Sequence, residues 1–184
     1  MPIPPMSQPE EVDLLVFGGG AGGMTAALVA SLEGLDVLLC EKTGQVGGTT
    51  ATSGGTTWVP GTDLSVRAGV PDSSINAAAF LASVVGQRGN EALRQAFLES
   101  GPAAIHELEQ HTEAKFVAAT AHPDYMGNHP GAAFGGRALA PLPFDGRLLG
   151  KEFARVRPPR PEFMGPTGMM VARHELDALL RPFN

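Results

Sequence analysis

Val12 to Phe17 is an apolar run dense enough for a strand buried on both faces, and it stops abruptly at Gly18-Gly19-Gly20-Ala21-Gly22-Gly23. So much glycine reads as a sharp turn. Met24 to Leu32 then supplies Ala26, Ala27, Val29 and Ala30, compact side chains that let a helix lie close on a sheet, and Gly34 serves as its stop. Asp36 to Glu41 reads as a second strand. Strand, glycine turn, helix and strand make one βαβ unit, whose connection is right-handed. The chain therefore belongs to the α/β class.

Composition narrows the rest. With 24 Gly and 16 Pro among 184 residues, long helices are disfavoured and a helical bundle or coiled coil is excluded, while 43% hydrophobic residues still permit a core. The length is too short for two ordinary domains. A balance of 13 Lys+Arg against 19 Asp+Glu, net −6, argues against a nucleic-acid partner. Arg155, Arg157 and Arg160, set around Pro158 and Pro159, read as a solvated loop rather than a basic stripe.

Cys40 stands alone, so it has no internal disulfide partner, and its neighbours Val37, Leu38 and Leu39 suggest a buried apolar role. A reducing cytoplasm fits. Residues 1–11 lack a basic start and an apolar core, so they read as a disordered lead-in rather than a signal peptide. No run approaches the roughly 18 apolar residues of a bilayer span, and no membrane segment is expected.

Thr43 to Asp63 carries six Gly and seven Thr with little periodicity, which predicts a loop following a surface or a ligand. Helices resume beyond it. Asp72 or Ser73 can cap a helix through Ile75, Ala78, Ala79 and Ala82. Leu93, Ala96 and Phe97, then Ile105 and Leu108, predict two further short helices divided by Gly101-Pro102. His122 to Gly168 is rich in Pro and Gly and reads as an extended wrapping segment, with at most a short helix near Leu149 to Val156. Leu176, Leu179 and Leu180 begin an amphipathic helix that Pro182 ends, and Met169-Met170 read as core filling.

Gly18, Gly20 and Gly23 satisfy G-x-G-x-x-G: the first lets the strand turn, the second admits a pyrophosphate against bare backbone, and the third allows close helix packing. The pattern alone is weak. Its context is strong, because it follows a strand, opens a helix, and precedes Glu41 at the end of the next strand, where a carboxylate accepts the hydroxyl hydrogens of an adenosine ribose and repels a 2′-phosphate. The alternative is a glycine turn in some other βαβ protein, with Glu41 a solvated strand end. NAD and FAD share this half-site. Gly47-Gly48-Thr49-Thr50-Ala51-Thr52-Ser53-Gly54-Gly55 suits a flat ring system approached by backbone N–H groups and hydroxyls, unless it is a flexible linker.

Taken together, the glycine motif, Glu41-Lys42, Gly47-Gly48-Thr49-Thr50 and Ser53-Gly54-Gly55 resemble the succinate dehydrogenase/fumarate reductase flavoprotein superfamily. Ser53-Gly54-Gly55-Thr56-Thr57-Trp58-Val59-Pro60 is similar to its 3-ketosteroid Δ1-dehydrogenase branch, as are Gly135-Gly136-Arg137, Pro143-Phe144-Asp145-Gly146-Arg147 and Gly168-Met169-Met170-Val171. The resemblance implies a Rossmann-like FAD-binding domain and transfer of hydride from a substrate carbon to flavin N5. Carried over by position, Gly18, Gly20, Ala21 and Gly23 line the pyrophosphate, Glu41 the ribose, and Thr49, Thr50, Gly54 and Gly55 the flavin side. Lys42, Gly47, Gly48 and Ser53 complete the cofactor set. Thr stands where Asn or Ser is frequent after the Gly pair and keeps a hydroxyl donor.

Tyr125 lies where that branch places a supporting active-site tyrosine; the alternative is an ordinary half-buried aromatic. The base and the carbonyl partner belong to later sequence. Trp58 either packs on a ring of the cofactor or anchors the core. The five histidines show neither metal-ligand nor triad spacing and read as structural or solvated. Two parallel strands make an incomplete sheet, so residues 12–184 are expected to be the N-terminal part of an FAD-binding domain, with the capping region absent and the piece inactive alone. The substrate expected is a steroid-like ketone. A fumarate reductase-like enzyme acting on a dicarboxylate, or a non-catalytic ADP-binding module completed by a partner chain, are the alternatives.

Overall fold

The structure is a computed structural model and describes residues 11–164. The expected lead-in over 1–10, the Met169-Met170 core filling and the helix at Leu176 to Leu180 lie outside the described residues. The described residues divide into two compact units, 11–53 with 147–164, and 54–146.

The first unit is the βαβ element. β1 (Leu14–Phe17) pairs in parallel with β2 (Val37–Cys40), in register from Leu14 opposite Val37 to Phe17 opposite Cys40. α1 (Ala21–Leu32) crosses between them and starts three residues earlier than Met24, inside the glycine run. Gly34, at φ +83°, closes it, its N–H bonded to the Ser31 carbonyl. Val16 on β1 lies under the first turn of α1, whereas Leu15 and Phe17 face the other way and stay 46% and 77% exposed. A parallel pair with one apolar face uncovered needs further elements to be stable. Cys40 is half-buried rather than enclosed.

After β2 the chain forms a 3-10 turn at Thr50–Thr52. Much later, the 3-10 segment Gly146–Arg155, kinked at Gly150, brings Val156 into a parallel bridge with Val46.

The second unit is a small antiparallel sheet covered by helices. β3 (Thr57–Trp58), β4 (Phe116–Ala118) and β5 (Ala138–Pro141) are ordered β3-β5-β4, with β5 central. The sequence reading of 43–63 as loop and of 122–168 as extended wrapping missed β3 and β5 of this sheet. Leu139 of β5 is fully buried, packing with Val59, Ile105 and Ala118, and with Leu64 and Phe116 at the margin. α2 (Asp63–Arg67), α3 (Ser74–Val85) and α4 (Glu91–His111) each begin at a side-chain cap: Thr62 on Ser65 N, Ser73 on Asn76 N and Asn90 on Ala92 N. Of the two cap candidates, Ser73 is the cap, and Asp72 is engaged elsewhere.

α4 corrects a second expectation. One helix runs through Gly101-Pro102 where two were expected. Pro102 removes one N–H from the ladder, but Ile105, a turn beyond it, is anchored in the core, and Gly101 lies so close to Val59 that an added Cβ would stand 3.0 Å from Val59 Cγ1. Packing on both sides of the proline outweighs the lost bond. Among the described residues, no helix is long and apolar enough to cross a membrane.

Candidate functional site

In the first unit the glycine run, the end of β2 and the Gly47-Gly48 turn meet. Gly18 extends the ladder through its N–H to the Cys40 carbonyl at 2.8 Å, then turns at φ +104°, which favours glycine. An added Cβ on Gly23 would overlap the Gly18 carbonyl oxygen, so only glycine lets α1 begin this close to β1. Gly20 differs: a Cβ there would meet nothing within 4 Å. It borders open space. Gly20 is also the N-cap of α1 and has no capping side chain, and the first turn carries no acidic residue. The second unit's helices are capped by their own side chains, but α1, where Thr50 meets only the Ala21 N–H, presents the Gly22 and Gly23 end of its first turn and the positive end of its dipole to that space. A pyrophosphate fits this cradle.

Glu41 closes one side. Its Oε2 accepts the Gly19 N–H at 2.7 Å, and its Oε1 accepts the Thr43 N–H at 3.1 Å. The Gly19 N–H, then the Thr43 N–H, hold its carboxyl below the usual carboxylate value; the Thr43 hydroxyl and the Arg157 charge add to this, against an opposing effect of burial. An ionised carboxylate is acceptor-only, and with Oε1 taken by the Thr43 N–H and hydroxyl it keeps a lone pair on Oε2 for a ribose hydroxyl.

Gly47 N–H donates to the Gly19 carbonyl at 2.6 Å, and a Cβ on Gly48 would stand 3.1 Å from Gly20 Cα. Thr50 Oγ1 accepts the Ala21 N–H at 3.4 Å, and Ser53 Oγ donates to the Thr50 carbonyl at 2.9 Å. Thus Gly18, Gly20, Ala21, Gly23, Glu41, Gly47, Gly48 and Thr50 come together. Thr49 and Lys42 are exposed on the same unit. Gly54 and Gly55 open the second unit, where Gly55, at φ +72°, packs against Pro141 of β5.

The second unit holds a cavity of about 330 Å³ lined by Thr56, Thr57, Trp58, Phe80, Leu81, Val84, His122, Pro123, Asp124, Tyr125, Met126 and Ala138. Tyr125 is 94% exposed, its ring edge-on to His122 at 5.7 Å, and so is not the half-buried aromatic that was the alternative. Beneath the cavity lies a cluster that sequence reasoning missed. Arg137, 2% exposed, donates from Nε and Nη2 to the two oxygens of Asp72, both at 2.9 Å, and from Nη1 to Asp124 Oδ2 at 2.8 Å. Trp58 Nε1 donates to Asp124 Oδ1 at 2.7 Å, and the guanidinium carbon lies 5.8 Å from the Trp58 and Phe80 ring centres. Trp58 also stacks on Phe97 at 6.2 Å, so within this unit it is a core anchor.

Two local devices deliver Arg137. Gly135 passes where any Cβ would overlap the Thr120 carbonyl oxygen, and Gly136 N–H bonds to the Ala119 carbonyl at 3.0 Å. The Gly135-Gly136 pair was the visible signal. The other histidines make local contacts, His129 with Ser83 at 2.8 Å and His111 with Glu107 at 3.4 Å. Arg155 and Arg160 pair with Glu152 and Glu162 on the surface, but Arg157 does not behave as a solvated arginine: its Nη2 donates to Thr43 Oγ1 at 3.1 Å.

Residues 13–181 match the family described as FAD binding domain, and the chain belongs to that family. Its cofactor is FAD, and the fold is the Rossmann-like FAD-binding fold. Among characterised relatives, the chain is 38% identical to the 3-oxosteroid 1-dehydrogenase of Mycobacterium tuberculosis, over 81% of this chain and 26% of that protein. It is 39% identical to the 4-oxocyclohex-2-ene-1-carboxylate 5-dehydrogenase of Sinomonas cyclohexanicum, over 79% of this chain and 24% of that one. The crystal structure of 3-ketosteroid Δ1-dehydrogenase from Sterolibacterium denitrificans, in complex with 1,4-androstadiene-3,17-dione, superposes with a TM-score of 0.79 at 35% identity, covering 85% of this chain and 28% of that chain. The chain spans about a quarter of the length of these relatives.

Proposed function

We propose that these residues are the FAD-binding part of an oxidoreductase that desaturates a cyclic ketone, with a 3-ketosteroid as the substrate class. In this reading residues 12–184 form the N-terminal part of the FAD-binding domain, and the rest of the catalytic surface comes from sequence outside them. When bound, FAD supplies the hydride acceptor for a CH–CH donor. The chain's residues hold and orient. Gly18, Gly20, Ala21 and Gly23 line the pyrophosphate at the N-terminus of α1, and Glu41 accepts from the ribose. Lys42, Gly47, Gly48, Thr49, Thr50, Ser53, Gly54 and Gly55 complete the cofactor contacts.

The observation that carries the substrate class is the cavity of the second unit. Its lining is mainly apolar and aromatic, with Thr56, Thr57 and His122 among it, and contains no Arg or Lys; its one carboxylate, Asp124, is already engaged by Trp58, Arg137 and the Ala133 N–H. Such a surface favours a fused-ring ketone over a dicarboxylate, which needs cationic partners. Tyr125, the chain's single tyrosine, supplies a phenol at this lining and supports the substrate during proton removal by a base from outside these residues.

The test has two arms on the purified 184-residue chain. FAD retention through desalting reads the cofactor site. Titration with 1,4-androstadiene-3,17-dione, read by emission of the single tryptophan, Trp58, reads the cavity. Retained FAD with steroid-dependent quenching is expected. A response to fumarate and none to the steroid overturns the substrate class; failure to retain FAD, alone and when joined to the natural downstream sequence, overturns the cofactor assignment.

A further inference from the structure

The segment that ends at Arg157 is tied to the nucleotide side of the first unit by a short ladder. Val46 N–H donates to the Arg155 carbonyl at 2.8 Å and Arg157 N–H to the Val46 carbonyl at 2.9 Å. Gln45 Nε2 adds bonds to the carbonyls of Ala154 at 3.3 Å and Val156 at 3.4 Å. Val46 in turn underlies the glycine turn: a Cβ on Gly19 would stand 3.1 Å from Val46 Cγ1. A residue far away in sequence is thereby fixed beside Glu41.

The Arg157 side chain uses that position. Nη2 donates to Thr43 Oγ1 at 3.1 Å, and this hydroxyl's one hydrogen is shared between the Gln45 carbonyl at 2.8 Å and Glu41 Oε1 at 3.2 Å. Thr43 N–H reaches the same Oε1 at 3.1 Å. Arg157 Nε is buried without a hydrogen-bond partner among the described residues. A guanidinium N–H stripped of water and left unmet is unusual for a surface arginine in a proline-rich turn, and calls for a reason.

We propose that Arg157 is a positioning residue for the adenosine ribose, fixing Glu41 through Thr43 so that the free lone pair of its Oε2 faces a ribose hydroxyl. This rests on the reading of the first unit as the ADP half of the FAD site. Arg157 donates to Thr43, Thr43 presents its N–H and hydroxyl to one carboxylate oxygen, and Gly19 holds the other. Hydrogen bonds to an ionised group are the strong ones, so a fixed carboxylate discriminates for a ribose hydroxyl and a swinging one does not.

The test measures FAD binding by flavin fluorescence, with ADP and 2′-deoxy-ADP as competitors, on the full 184-residue chain and on Arg157→Met, Arg157→Lys and Thr43→Val. The unaltered chain is expected to prefer ADP over 2′-deoxy-ADP by about tenfold, the size of one charge-assisted hydrogen bond. Arg157→Met should lose most of this preference and about fivefold in FAD affinity; Arg157→Lys, which keeps the charge but not the planar fork, should fall between. Thr43→Val, which cuts the relay while leaving Arg157, should also lose preference, and it decides the matter if Arg157→Met does not fold. Folded variants that keep the full ribose preference overturn the proposal, even where FAD affinity falls, because a merely structural role lowers both competitors alike. Failure to bind FAD by the unaltered chain, both alone and joined to its natural downstream sequence, overturns the underlying cofactor reading, and does so independently of residue 157.

Discussion

Arg137→Met removes a buried cation and leaves its two carboxylates behind. The side chains of Arg137, Asp72 and Asp124 are 2%, 6% and 3% exposed, and three charge-assisted hydrogen bonds of 2.8 to 2.9 Å join them. Breaking a buried pair by deleting one partner costs about 3–5 kcal/mol. Two effects adjust that range in opposite directions. Asp72 keeps the Ser73 N–H and Asp124 keeps the Trp58 and Ala133 N–H groups, which softens the loss; two like charges left together in the interior increase it. Methionine preserves most of the apolar contact with Trp58 and Phe80. We expect a loss of about 4 kcal/mol, a large share of a typical domain's 5–15 kcal/mol. Urea unfolding followed by Trp58 emission reads this unit directly; with a slope of about 1.5 kcal/mol per molar, the midpoint falls by between about 2 and 3 M. Adding Asp72→Asn and Asp124→Asn to Arg137→Met should recover part of the loss, because the uncompensated charge disappears. A loss below about 1 kcal/mol for Arg137→Met, with no recovery in the triple variant, refutes the buried-charge account.

Gly23→Ala and Gly20→Ala form a contrasting pair: the first forces α1 off the Gly18 carbonyl and should cost about 3 kcal/mol in thermal or urea unfolding, whereas the second meets open space at φ −81° and should leave stability within about 0.5 kcal/mol while lowering FAD retention. Glu41 has a depressed carboxyl pKa in the folded chain, so its contribution is fully present above the unfolded value of 4.5 and disappears as pH falls through the folded value. The stability difference between the unaltered chain and Glu41→Gln, measured by unfolding across pH 7 to 3, should therefore be flat at neutral pH and shrink only below about 4.5. Tyr125→Phe, at a 94% exposed position, should change stability by less than about 0.5 kcal/mol yet weaken the steroid response of Trp58 emission.

The βαβ unit was legible because its rules are local: an apolar run, a glycine turn, small helix residues and an acidic strand end all fall within one short stretch. The antiparallel sheet was not. β3 is two residues, β4 three, and β5, Ala138–Pro141, ends in proline, so none shows the alternation that marks a strand. Their pairing is decided by contacts distant in sequence, with Thr57 opposite Leu139 and Ala118 opposite the same residue. α4 was read as broken because proline carries a strong local penalty, and core anchoring of Ile105 is invisible in a sequence window. The glycine cradle and Glu41 were found by motif. Arg157 and the Arg137 cluster were not, because an arginine's partners lie in other segments and its sequence neighbours, Pro158 or Gly136, indicate only a turn.

Gly20 gives α1 no capping side chain, and Thr50 meets only the Ala21 N–H, an opening turn that suits a pyrophosphate and leaves the helix start weaker whenever the nucleotide is absent. Folding and flavin supply are then coupled by mass action: FAD at a hundred times its dissociation constant adds about 2.7 kcal/mol to the folded state. In a cell short of flavin, the chain spends more time open and is degraded faster. The amount of protein should therefore track riboflavin nutrition even when its synthesis does not change.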